Sequence, residues 1–513
     1  MAARYPSILA ALEAHATADP QRPCLAWAGQ TYSYADLLTA ARAWAGRYAA
    51  LGVVRGDRIG LYLGSGPGFL AAYLGAHAAG AAAVLINTQY RAVELSHLLH
   101  DSEPRVVVSD AEGVARLHEL GSTPYTILVA DAAQLAAPAL PFGHQPEPPN
   151  QALPAPDELA LLAYTSGTTG RSKGAVLTHG CLAANSAAVC DAWGWTAHDR
   201  LLLVLPLFHI HGLGVGFHGT LTAGAALELR AKFDPAQTLA DLRSGQFSMF
   251  FGVPTLYTRL LDQAAHDPGS IRERLPMRLC VSGSAPLSPQ TFAAWELRFG
   301  QRILERYGMT ETGMNLTNPL DGERRPGTVG QPFPGQEARI VDRDQRTPVP
   351  FGTIGEVQVR GPHLFAGYWR NPAASAEVFA PEGWFNTGDL GWCSEDGYYT
   401  LTGRARELII SGGYNIYPRE VEEVLLGHPA IAECAVFGLP DPDYGEQVVA
   451  ALVARNPTAQ PTAAMLEQYC RERLAAYKRP RQIYYLETLP RNAMGKVQKH
   501  HLQAQFSIVP SQP

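Results

Sequence analysis

A short polar segment between two apolar runs holds residue types that suit a phosphate group. Residues 164–174 read YTSGTTGRSKG, with three glycines, several hydroxyl side chains, an arginine and a lysine. Glycine frees backbone N–H groups to point at a ligand, and hydroxyl and ammonium groups add further donors. The segment is predicted to bind a polyphosphate, with contacts from Thr165, Ser166, Gly167, Thr168, Thr169, Gly170 and Lys173.

The spacing in this segment differs from that of the Walker phosphate loop. A Walker loop has the form GxxxxGK[ST] and opens a helix. Here Gly167, Gly170 and Lys173 are followed by GAVLTHG, which favours a short strand. The sequence therefore indicates a flap between two strands, and a surface loop without a ligand is the alternative for the segment taken alone.

Lysine is rare in this chain. Of 41 basic residues, five are lysines: Lys173, Lys232, Lys478, Lys496 and Lys499. Lysine is a compact point charge on a flexible stem, whereas arginine is a planar fork. Since arginine serves nearly everywhere else, Lys496 in the segment PRNAMGK is a candidate for a role that arginine cannot fill. An exposed loop lysine is the alternative.

The scaffold that must position these segments is predicted to be α/β. In the N-terminal third, helical patterns alternate with the strand-like runs RIGLYLG, AAVLIN and PRVVVSD, which is typical of a parallel sheet. A proline-rich stretch at 138–156 is predicted to be an exposed linker. After about residue 361 the sequence consists of short β-type runs separated by many turn residues. We expect a domain of residues 1–403 and a second, compact domain of residues 404–513.

Composition and charge exclude several classes of protein. The net charge of −6 argues against a dedicated nucleic-acid-binding protein. Seven scattered cysteines without a CxxC pair suggest neither a disulfide framework nor a zinc knuckle. The most apolar run, residues 71–86, is shorter than the ~20 residues of a membrane span. With no signal-peptide pattern at the N-terminus, a cytoplasmic location without a membrane partner is expected.

Four further motifs follow the polar segment in a fixed order. They are ERYGMTET (305–312), NTGDLG (386–391), GRARELIISGGYNIYP (403–418) and PRNAMGK (490–496). Over nearly the whole chain, the set resembles the adenylate-forming superfamily of acyl-CoA and aryl-CoA synthetases, adenylation domains and luciferases. The resemblance implies a large N-terminal domain of α/β subdomains and a small mobile α+β domain. It also implies that an acid reacts with ATP and Mg²⁺ to give acyl-AMP, and then with CoA to give a thioester.

The resemblance assigns roles at the nucleotide site. The loop from Thr165 to Lys173 would hold the β- and γ-phosphates, and Thr310 would contact the α-phosphate. Carboxylate and hydroxyl oxygens suit Mg²⁺, and its expected ligands are Glu311 and Thr168. The expected contacts of adenine and ribose are Tyr307, Gly283, Ser284, Asp389 and Arg404.

The resemblance also assigns roles in the C-terminal domain. Lys496 would bridge the α-phosphate and the attacking carboxylate, so this domain must close over the nucleotide and then rotate for thioester formation. Arg406 stands at the hinge, where aspartate and lysine are commoner. In the second pose Gly412, Gly413 and Tyr414 would line the pantetheine tunnel. A protein lysine acetyltransferase acting on Lys496 is a further implied partner.

The central third bears on which acid is used. The segments PLFHIHGLG (206–214), FFGVPTLYTRLL (250–261) and MTETGMN (309–315) look most like malonyl-CoA synthetases. The second carboxylate of malonate must be paired once it leaves water, and Arg259 is the expected partner. Gly313 stands where a larger side chain is common, which predicts a wider pocket that accepts methylmalonate. The remaining expected pocket residues are His209, His211, Ser282 and Met314.

Several alternatives remain open from the sequence. An arginine on a helix is more often solvated than buried, and the two histidines of HIH could bind a metal, although no third ligand is evident. The enzyme could be a CoA ligase for another short- or medium-chain acid. A carrier-protein adenylation module and a non-catalytic nucleotide-binding protein are the other classes that we considered.

Overall fold

The computed structural model describes residues 4–121, 124–136, 152–165, 172–266, 273–492 and 495–507. Within these ranges, helices and strands alternate through the N-terminal four-fifths of the chain, followed by a small C-terminal unit. Most of the predicted linker at 138–156 lies outside the described residues, as do Ser166, Gly167, Thr168, Thr169 and Gly170 of the predicted phosphate loop.

The strands of the described residues are numbered in chain order. They are β1 (Pro23–Trp27), β2 (Gln30–Ser33), β3 (Arg58–Tyr62), β4 (Ala82–Leu85), β5 (Val106–Ser109), β6 (Thr126–Val129), β7 (Leu159–Thr165), β8 (Lys173–Thr178), β9 (Arg200–Leu203), β10 (Ala226–Leu229), β11 (Met249–Gly252), β12 (Leu279–Ser282), β13 (Leu304–Met309), β14 (Gly313–Thr317), β15 (Gln331–Pro332), β16 (Glu337–Val341), β17 (Gly355–Arg360), β18 (Phe379–Ala380), β19 (Trp384–Cys393), β20 (Tyr399–Arg404), β21 (Ile409–Ser411), β22 (Tyr414–Ile416), β23 (Ile431–Asp441), β24 (Gly445–Ala454) and β25 (Gln482–Tyr485).

The α-helices are numbered in the same way. They are α1 (Ile8–Ala18), α2 (Tyr34–Ala50), α3 (Pro67–Ala78), α4 (Ala92–Ser102), α5 (Ala111–His118), α6 (His179–Ala192), α7 (His218–Ala223), α8 (Pro235–Arg243), α9 (Pro254–Ala265), α10 (Pro289–Phe299), α11 (Pro372–Val378), α12 (Pro418–Leu426), α13 (Ala463–Arg471) and α14 (Lys499–Ser507). A π-helical segment, His211–Phe217, precedes α7 and runs directly into it.

Two large sheets form the N-terminal domain. One has nine strands in the order β15-β14-β13-β12-β11-β9-β10-β1-β2, and the other has six in the order β6-β5-β3-β4-β7-β8. The pairs β9–β11, β11–β12 and β12–β13 are parallel. Parallel strands end at the same edge of a sheet, and ligands bind beyond their carboxyl ends. The loops after β9, β11, β12 and β13 therefore meet at one edge.

Two smaller sheets complete the fold. One contains β16 to β20, and the other, in the C-terminal domain, contains β21 to β25 with helices α12, α13 and α14. The C-terminal domain has its own buried apolar clusters, one around Ile409, Val436 and Leu466 and one around Phe437 and Phe506. The predicted α/β fold class with a large N-terminal and a small C-terminal domain is confirmed.

The predicted elements differ from the observed ones mainly at their ends. The run AAMLEQYCRERLAAYK predicts one helix, but α13 ends at Arg471, where the N–H of Leu474 turns back to the Cys470 carbonyl at 2.7 Å. A separate short helix, Ala476–Lys478, follows it. A search of the described residues finds no helix with the length and apolar character needed to cross a bilayer.

Candidate active site

The turn between β13 and β14 lies at the shared edge of the parallel strands. It consists of Thr310, Glu311 and Thr312, and it closes on Gly313, whose φ of +62° is the left-handed conformation that glycine adopts without strain. The carboxylate of Glu311 is buried and accepts a hydrogen bond of 3.1 Å from the hydroxyl of Tyr368. Burial raises the pKa of Glu311.

Three residues predicted to contact adenine and ribose come together. Asp389 on β19 and Arg404 on β20 are directly paired across the two antiparallel strands, and their side chains form an ion pair of 2.9 Å. The hydroxyl of Tyr307 donates to the other carboxylate oxygen of Asp389 at 2.5 Å. The neighbouring carboxylate of Asp389 raises the pKa of Arg404. A buried aromatic ring, a carboxylate and a guanidinium are thus combined at one place.

The ends of the predicted phosphate loop face each other on a hairpin. Thr165 at the end of β7 is the register partner of Lys173 at the start of β8, which agrees with a flap between two strands. His97 contacts the carbonyl oxygen of Ser172 at 2.8 Å, and Tyr164 donates to Asp101 at 2.6 Å. These contacts hold Tyr164 and Ser172, near the two ends of the segment, against α4.

Lys496 lies close to the nucleotide residues although it belongs to the C-terminal domain. Burial, with the positive charge of Arg404 next in size, lowers the pKa of Lys496 to about 8. Its backbone N–H donates to the side chain of Asn492 at 3.0 Å. The adjacent Gly495 approaches Thr255 at the start of α9, since a Cβ on Gly495 would lie 3.3 Å from the Thr255 hydroxyl. The loop carrying Lys496 therefore contacts the N-terminal domain.

Three of the predicted acid-binding residues, His209, His211 and Ser282, form a buried polar cluster. The Nε2 atoms of His209 and His211 and the hydroxyl of Ser282 have no hydrogen-bond partner among the described residues. The Nδ1 of His211 lies 3.1 Å from the Ser284 hydroxyl. Burial lowers the pKa of His209 to about 4. Unpaired buried polar atoms are rare in proteins, so this cluster is suited to a polar ligand.

Arg306 also belongs to this cluster, although it was not predicted from the sequence as a site residue. It is 2% exposed, and its Nε and Nη2 atoms have no hydrogen-bond partner among the described residues. Burial lowers the pKa of Arg306 to about 9, and burial, with the charge of Arg306 next in size, holds the pKa of His211 well below its usual value. Gly283 must be glycine here, because a Cβ would lie 2.4 Å from the guanidinium carbon.

Arg259, the predicted partner of a second carboxylate, lies elsewhere. Its side chain is exposed on α9, whose buried face contains Leu256, Tyr257 and Leu260. It forms no ion pair with any residue of the described ranges. Arg259 follows Thr255 by one helical turn, so it is on the face that meets the Lys496 loop. A role in substrate binding stays a prediction for this residue.

Gly313 and Met314 are held by a residue of α6. The side-chain amide of Asn185 donates to the Met314 carbonyl at 2.9 Å and accepts from the Met314 N–H at 3.1 Å. A Cβ on Gly313 would lie 2.5 Å from the Asn185 oxygen, so Asn185 fills the volume that a larger side chain would take. A small pocket beside them is lined by Gly313, Asn185, Ile210, Gly214, Thr310, His363, Leu177, Cys181 and Leu182.

The residues predicted to serve the second reaction lie outside this cluster. Gly412, Gly413 and Tyr414 are exposed on the β21–β22 turn, where the ring of Tyr414 stacks on Tyr477 with 4.5 Å between centroids. Arg406 is exposed in the short helix Ala405–Glu407 that follows β20. In this arrangement Gly412 and Gly413 lie away from the residues predicted to bind the nucleotide, whereas Lys496 lies close to those residues.

Comparison with known proteins decides the family. Residues 12–369 match the family described as AMP-binding enzyme, and residues 420–496 match the AMP-binding enzyme C-terminal domain. The chain belongs to the AMP-binding enzyme family. The resemblance to adenylate-forming enzymes that the ordered motifs indicate is confirmed.

This AMP-binding enzyme is similar to proteins with different acid substrates. It is 37% identical to a sulfoacetate–CoA ligase of Cupriavidus necator over 96% of this chain and 97% of that protein. It is 36% identical to a malonate–CoA ligase of Arabidopsis thaliana over 89% of this chain and 79% of that protein. The sequence relatives thus share the ligase reaction but not one acid.

Solved structures of one relative bear on the domain arrangement. The crystal structure of ATP-bound MatB from Rhodopseudomonas palustris is 37% identical, covers 98% of this chain and 99% of its own, and gives a TM-score of 0.88. The apo structure of the same protein gives a TM-score of 0.77. The present arrangement therefore resembles the ATP-bound form more closely, in keeping with the proximity of Lys496 to Arg404 and Asp389.

The chemistry of the AMP-binding site fits a hard divalent cation. Glu311 offers a buried carboxylate, and within the described part of the chain the Tyr368 hydroxyl is its one side-chain hydrogen-bond partner. Carboxylate oxygens are preferred by Mg²⁺. The second predicted ligand, Thr168, lies outside the described residues.

Proposed function

We propose that this AMP-binding enzyme ligates malonate to CoA through malonyl-AMP, releasing pyrophosphate and then AMP. The observation that carries the proposal is the buried guanidinium of Arg306 beside His211 and Gly283, which has Nε and Nη2 without a partner among the described residues. Both atoms without a partner, Nε and Nη2, lie on the same edge of the guanidinium plane. That edge donates two parallel hydrogen bonds to a planar carboxylate.

The electrostatics favour an acid with a second negative group. An unpaired buried charge costs several kcal/mol of folding free energy, as an order of magnitude. A carboxylate supplied by the substrate would offset this cost. An uncharged acyl chain, such as that of octanoate, would leave the guanidinium unpaired and would place apolar surface against it. Arg306 therefore favours a dicarboxylate over a monocarboxylate.

The first reaction step joins two anions. A carboxylate oxygen of malonate attacks the α-phosphorus of ATP, and the bond to pyrophosphate breaks. The ammonium group of Lys496 would lie between the carboxylate and the α-phosphate, with Thr310 as a second donor, and Mg²⁺ held by Glu311 would neutralise charge on the phosphates. The proximity of Lys496 to Arg404 and Asp389 supports this role.

The second step requires a different domain pose. The CoA sulfur attacks the malonyl carbonyl, the bond to AMP breaks, and the thiol proton goes to solvent. We propose that residues 404–513 rotate about Arg406, which would bring Gly412, Gly413 and Tyr414 to the pantetheine channel. Their exposure in the present pose supports the proposal, since an exposed turn is accessible to CoA.

Sulfoacetate is the second candidate acid. It is favoured by the identity of 37% to a sulfoacetate–CoA ligase over nearly the full length of both chains. A sulfonate is tetrahedral and has three oxygens, so two parallel donors on Arg306 satisfy it less completely than a carboxylate. Methylmalonate is less favoured by the structure than malonate, because Asn185 fills the volume beside Gly313 that its methyl group would need.

A substrate panel tests the proposal. Purified protein with ATP, Mg²⁺ and CoA would be supplied with malonate, methylmalonate, sulfoacetate, succinate, acetate or octanoate, and pyrophosphate release and thioester formation would be measured. We expect the highest kcat/KM with malonate. A higher value with acetate or octanoate would overturn the requirement for a second anion. A higher value with sulfoacetate would keep the requirement for a second anion but would make sulfoacetate, and not malonate, the preferred acid.

Two arginine variants separate the candidate anion partners. Arg306→Met keeps much of the side-chain volume and removes the charge, and we expect malonate kcat/KM to fall by about a hundredfold or more, as for a broken buried ion pair. Acetate turnover is the matched control and should change little. Arg259→Ala, on the exposed face of α9, tests the prediction made from the sequence. A loss of malonate activity confined to Arg259→Ala would refute the role of Arg306.

A further inference from the structure

A short segment connects the metal-binding turn to the strand after the phosphate loop. The N–H of Phe365 donates to the carbonyl of Glu311 at 2.9 Å, and that of Trp369 donates to the carbonyl of Gly174 at 2.7 Å. Between these points, Ala366 and Gly367 exchange hydrogen bonds with the backbone of Val176 on β8. Residues 365–369 thus run along the edge of β8, from Glu311 to the residue that follows Lys173.

Tyr368 in this segment contacts two charged residues at once. Its hydroxyl donates to Oε1 of Glu311 at 3.1 Å. The ammonium group of Lys173 lies over its ring, with Nζ 5.1 Å from the ring centroid. The N–H of Tyr368 donates to the Ser375 hydroxyl at 2.8 Å, and its ring packs edge-on against Phe365. The ring is therefore fixed from both sides between Lys173 and Glu311.

Neither charged group has a direct ionic partner in the part of the chain that the structure describes. Across the ranges that the structure describes, no ion pair involves Lys173 or Glu311. Each instead uses a different part of one neutral side chain: the carboxylate uses the hydroxyl, and the ammonium group uses the π face. This arrangement needs a physical reason, since a lysine and a glutamate that contact the same side chain attract each other.

We propose that Tyr368 is a positioning residue that keeps Lys173 and Glu311 from pairing with each other before Mg²⁺ and ATP bind. The inference rests on the proposed ATP-dependent reaction. A direct pair would have to break before the carboxylate could bind the cation and the ammonium group could bind the phosphates. The contacts to Tyr368 are weaker and are exchanged more easily. The hydroxyl also orients one carboxylate oxygen and leaves the other directed elsewhere.

The proposal predicts a defect in binding that is confined to the first half-reaction. Binding of ATP with Mn²⁺, a spectroscopic substitute for Mg²⁺, would be followed by the loss of the free Mn²⁺ signal in electron paramagnetic resonance. We expect Tyr368→Phe to weaken Mn²⁺–ATP binding by about fivefold to twentyfold, as for one hydrogen bond to a charged group. Tyr368→Leu should weaken it further, because Lys173 and Glu311 can then pair directly. Thioester formation from supplied acyl-AMP should stay within twofold of the original value for both.

A double-mutant cycle shows whether Tyr368 acts through Glu311. In a Glu311→Gln background no Lys173–Glu311 ion pair can form, so Tyr368→Leu should add little to the loss of Mn²⁺–ATP binding. Tyr399→Phe is the matched control: it removes a hydroxyl that donates to the Ala338 carbonyl, a residue with no assigned role at the nucleotide site. This control should bind Mn²⁺–ATP normally, and the melting temperature of each variant shows whether it folds.

Three results would overturn the inference. They are normal Mn²⁺–ATP binding by Tyr368→Leu, equal losses in both half-reactions, and a full additional loss in the Glu311→Gln background. The acid proposal fails separately: a protein that binds Mn²⁺–ATP but does not activate malonate contradicts only the choice of acid. A protein that binds no ATP contradicts both the inference about Tyr368 and the proposed ATP-dependent reaction.

Discussion

The hydroxyl of Tyr307 lies 2.5 Å from a carboxylate oxygen of Asp389, although 82 residues separate them in the chain. The other oxygen of Asp389 pairs with Arg404 at 2.9 Å. Asp389 is thus held from two sides, by the strand that leads into the Thr310–Thr312 turn and by the last strand before the C-terminal domain. This contact connects the sheet that carries the Thr310–Thr312 turn to the segment about which the C-terminal domain would rotate.

Asp389→Asn is expected to weaken ATP binding. The substitution keeps the shape of the side chain. It removes the negative charge of the carboxylate, which would accept hydrogen bonds from the ribose hydroxyls. Hydrogen bonds to charged groups contribute about 1.5–3 kcal/mol, so the KM for ATP should rise roughly tenfold to a hundredfold. Pyrophosphate release as a function of ATP concentration measures this. Tyr307→Phe, which loses only the hydroxyl, should have a smaller effect, and an unchanged KM in Asp389→Asn would contradict the ribose assignment.

Lys496→Ala is expected to abolish acyl-AMP formation and to spare thioester formation from supplied acyl-AMP. The reason is that the ammonium group serves the meeting of two anions, which occurs only in the first step. The two half-reactions are measured separately, by pyrophosphate release and by loss of CoA thiol. Equal losses in both would refute the division of labour between the two domain poses.

The pH dependence of the first step follows from the pKa of about 8 at Lys496. The protonated form is the active one, so kcat/KM for adenylation should fall as the pH rises through about 8, because this parameter reports the free enzyme. Lys496→Arg stays charged over the whole range. It should be slower but should lose the alkaline decline. A decline that persists in Lys496→Arg would assign it to another group.

The sequence predicted most of the elements because they depend on local patterns. The alternation of β3, α3, β4, α4 and β5 follows from hydrophobic periodicity, and Pro254 marks the start of α9 as expected. Glu311 and Thr310 follow a strand in a parallel sheet, so their meeting with the loops after β11 and β12 follows from topology.

The acid-binding residues depend on tertiary packing and were harder to predict. Arg306 is part of the quoted motif ERYGMTET, and alternation along β13 places its side chain on the opposite face from Glu305 and Tyr307. Alternation does not show whether a guanidinium meets a carboxylate in the fold. Tyr368 likewise contacts Glu311 across 57 residues of sequence. Contacts between residues so far apart in the chain produce no recognisable pattern in the local sequence.

Acid should destabilise the N-terminal domain through three buried histidines. His77, His179 and His218 pack together in one cluster, with the rings of His77 and His179 4.6 Å apart. Burial holds the pKa of His77 well below its usual value and lowers that of His179 to about 4 and that of His218 to about 3. They are neutral in the folded state and protonate on unfolding. The stability that they contribute is present above about pH 6.5, and each loses about 1.4 kcal/mol per pH unit below it.

Glu305 provides a matched control with the opposite sign. Burial raises its pKa to about 7, so between about pH 4.5 and 7 the folded state holds a proton that the unfolded state releases. This carboxyl opposes the histidines over most of their window. Glu305→Gln should make the loss of stability between pH 6.5 and 5 steeper by about one proton. Chemical unfolding at several pH values measures the slope, and an unchanged slope in Glu305→Gln would show that Glu305 is ionised in the folded protein.

The contact between Asn185 and the Gly313–Met314 backbone should behave as a coupled pair. Gly313→Ala places a methyl group 2.5 Å from the Asn185 oxygen at a positive φ of 62°, so it should destabilise the domain by about 1–3 kcal/mol. Asn185→Ala removes both hydrogen bonds to the buried Met314 backbone and should cost about as much. In the double variant the clash is absent, because the amide that caused it is gone. The combined loss should therefore be smaller than the sum of the single losses by about 1 kcal/mol. A purely additive result would mean that the conformation of Gly313, and not the volume taken by Asn185, sets the requirement for glycine at this wall of the acid pocket.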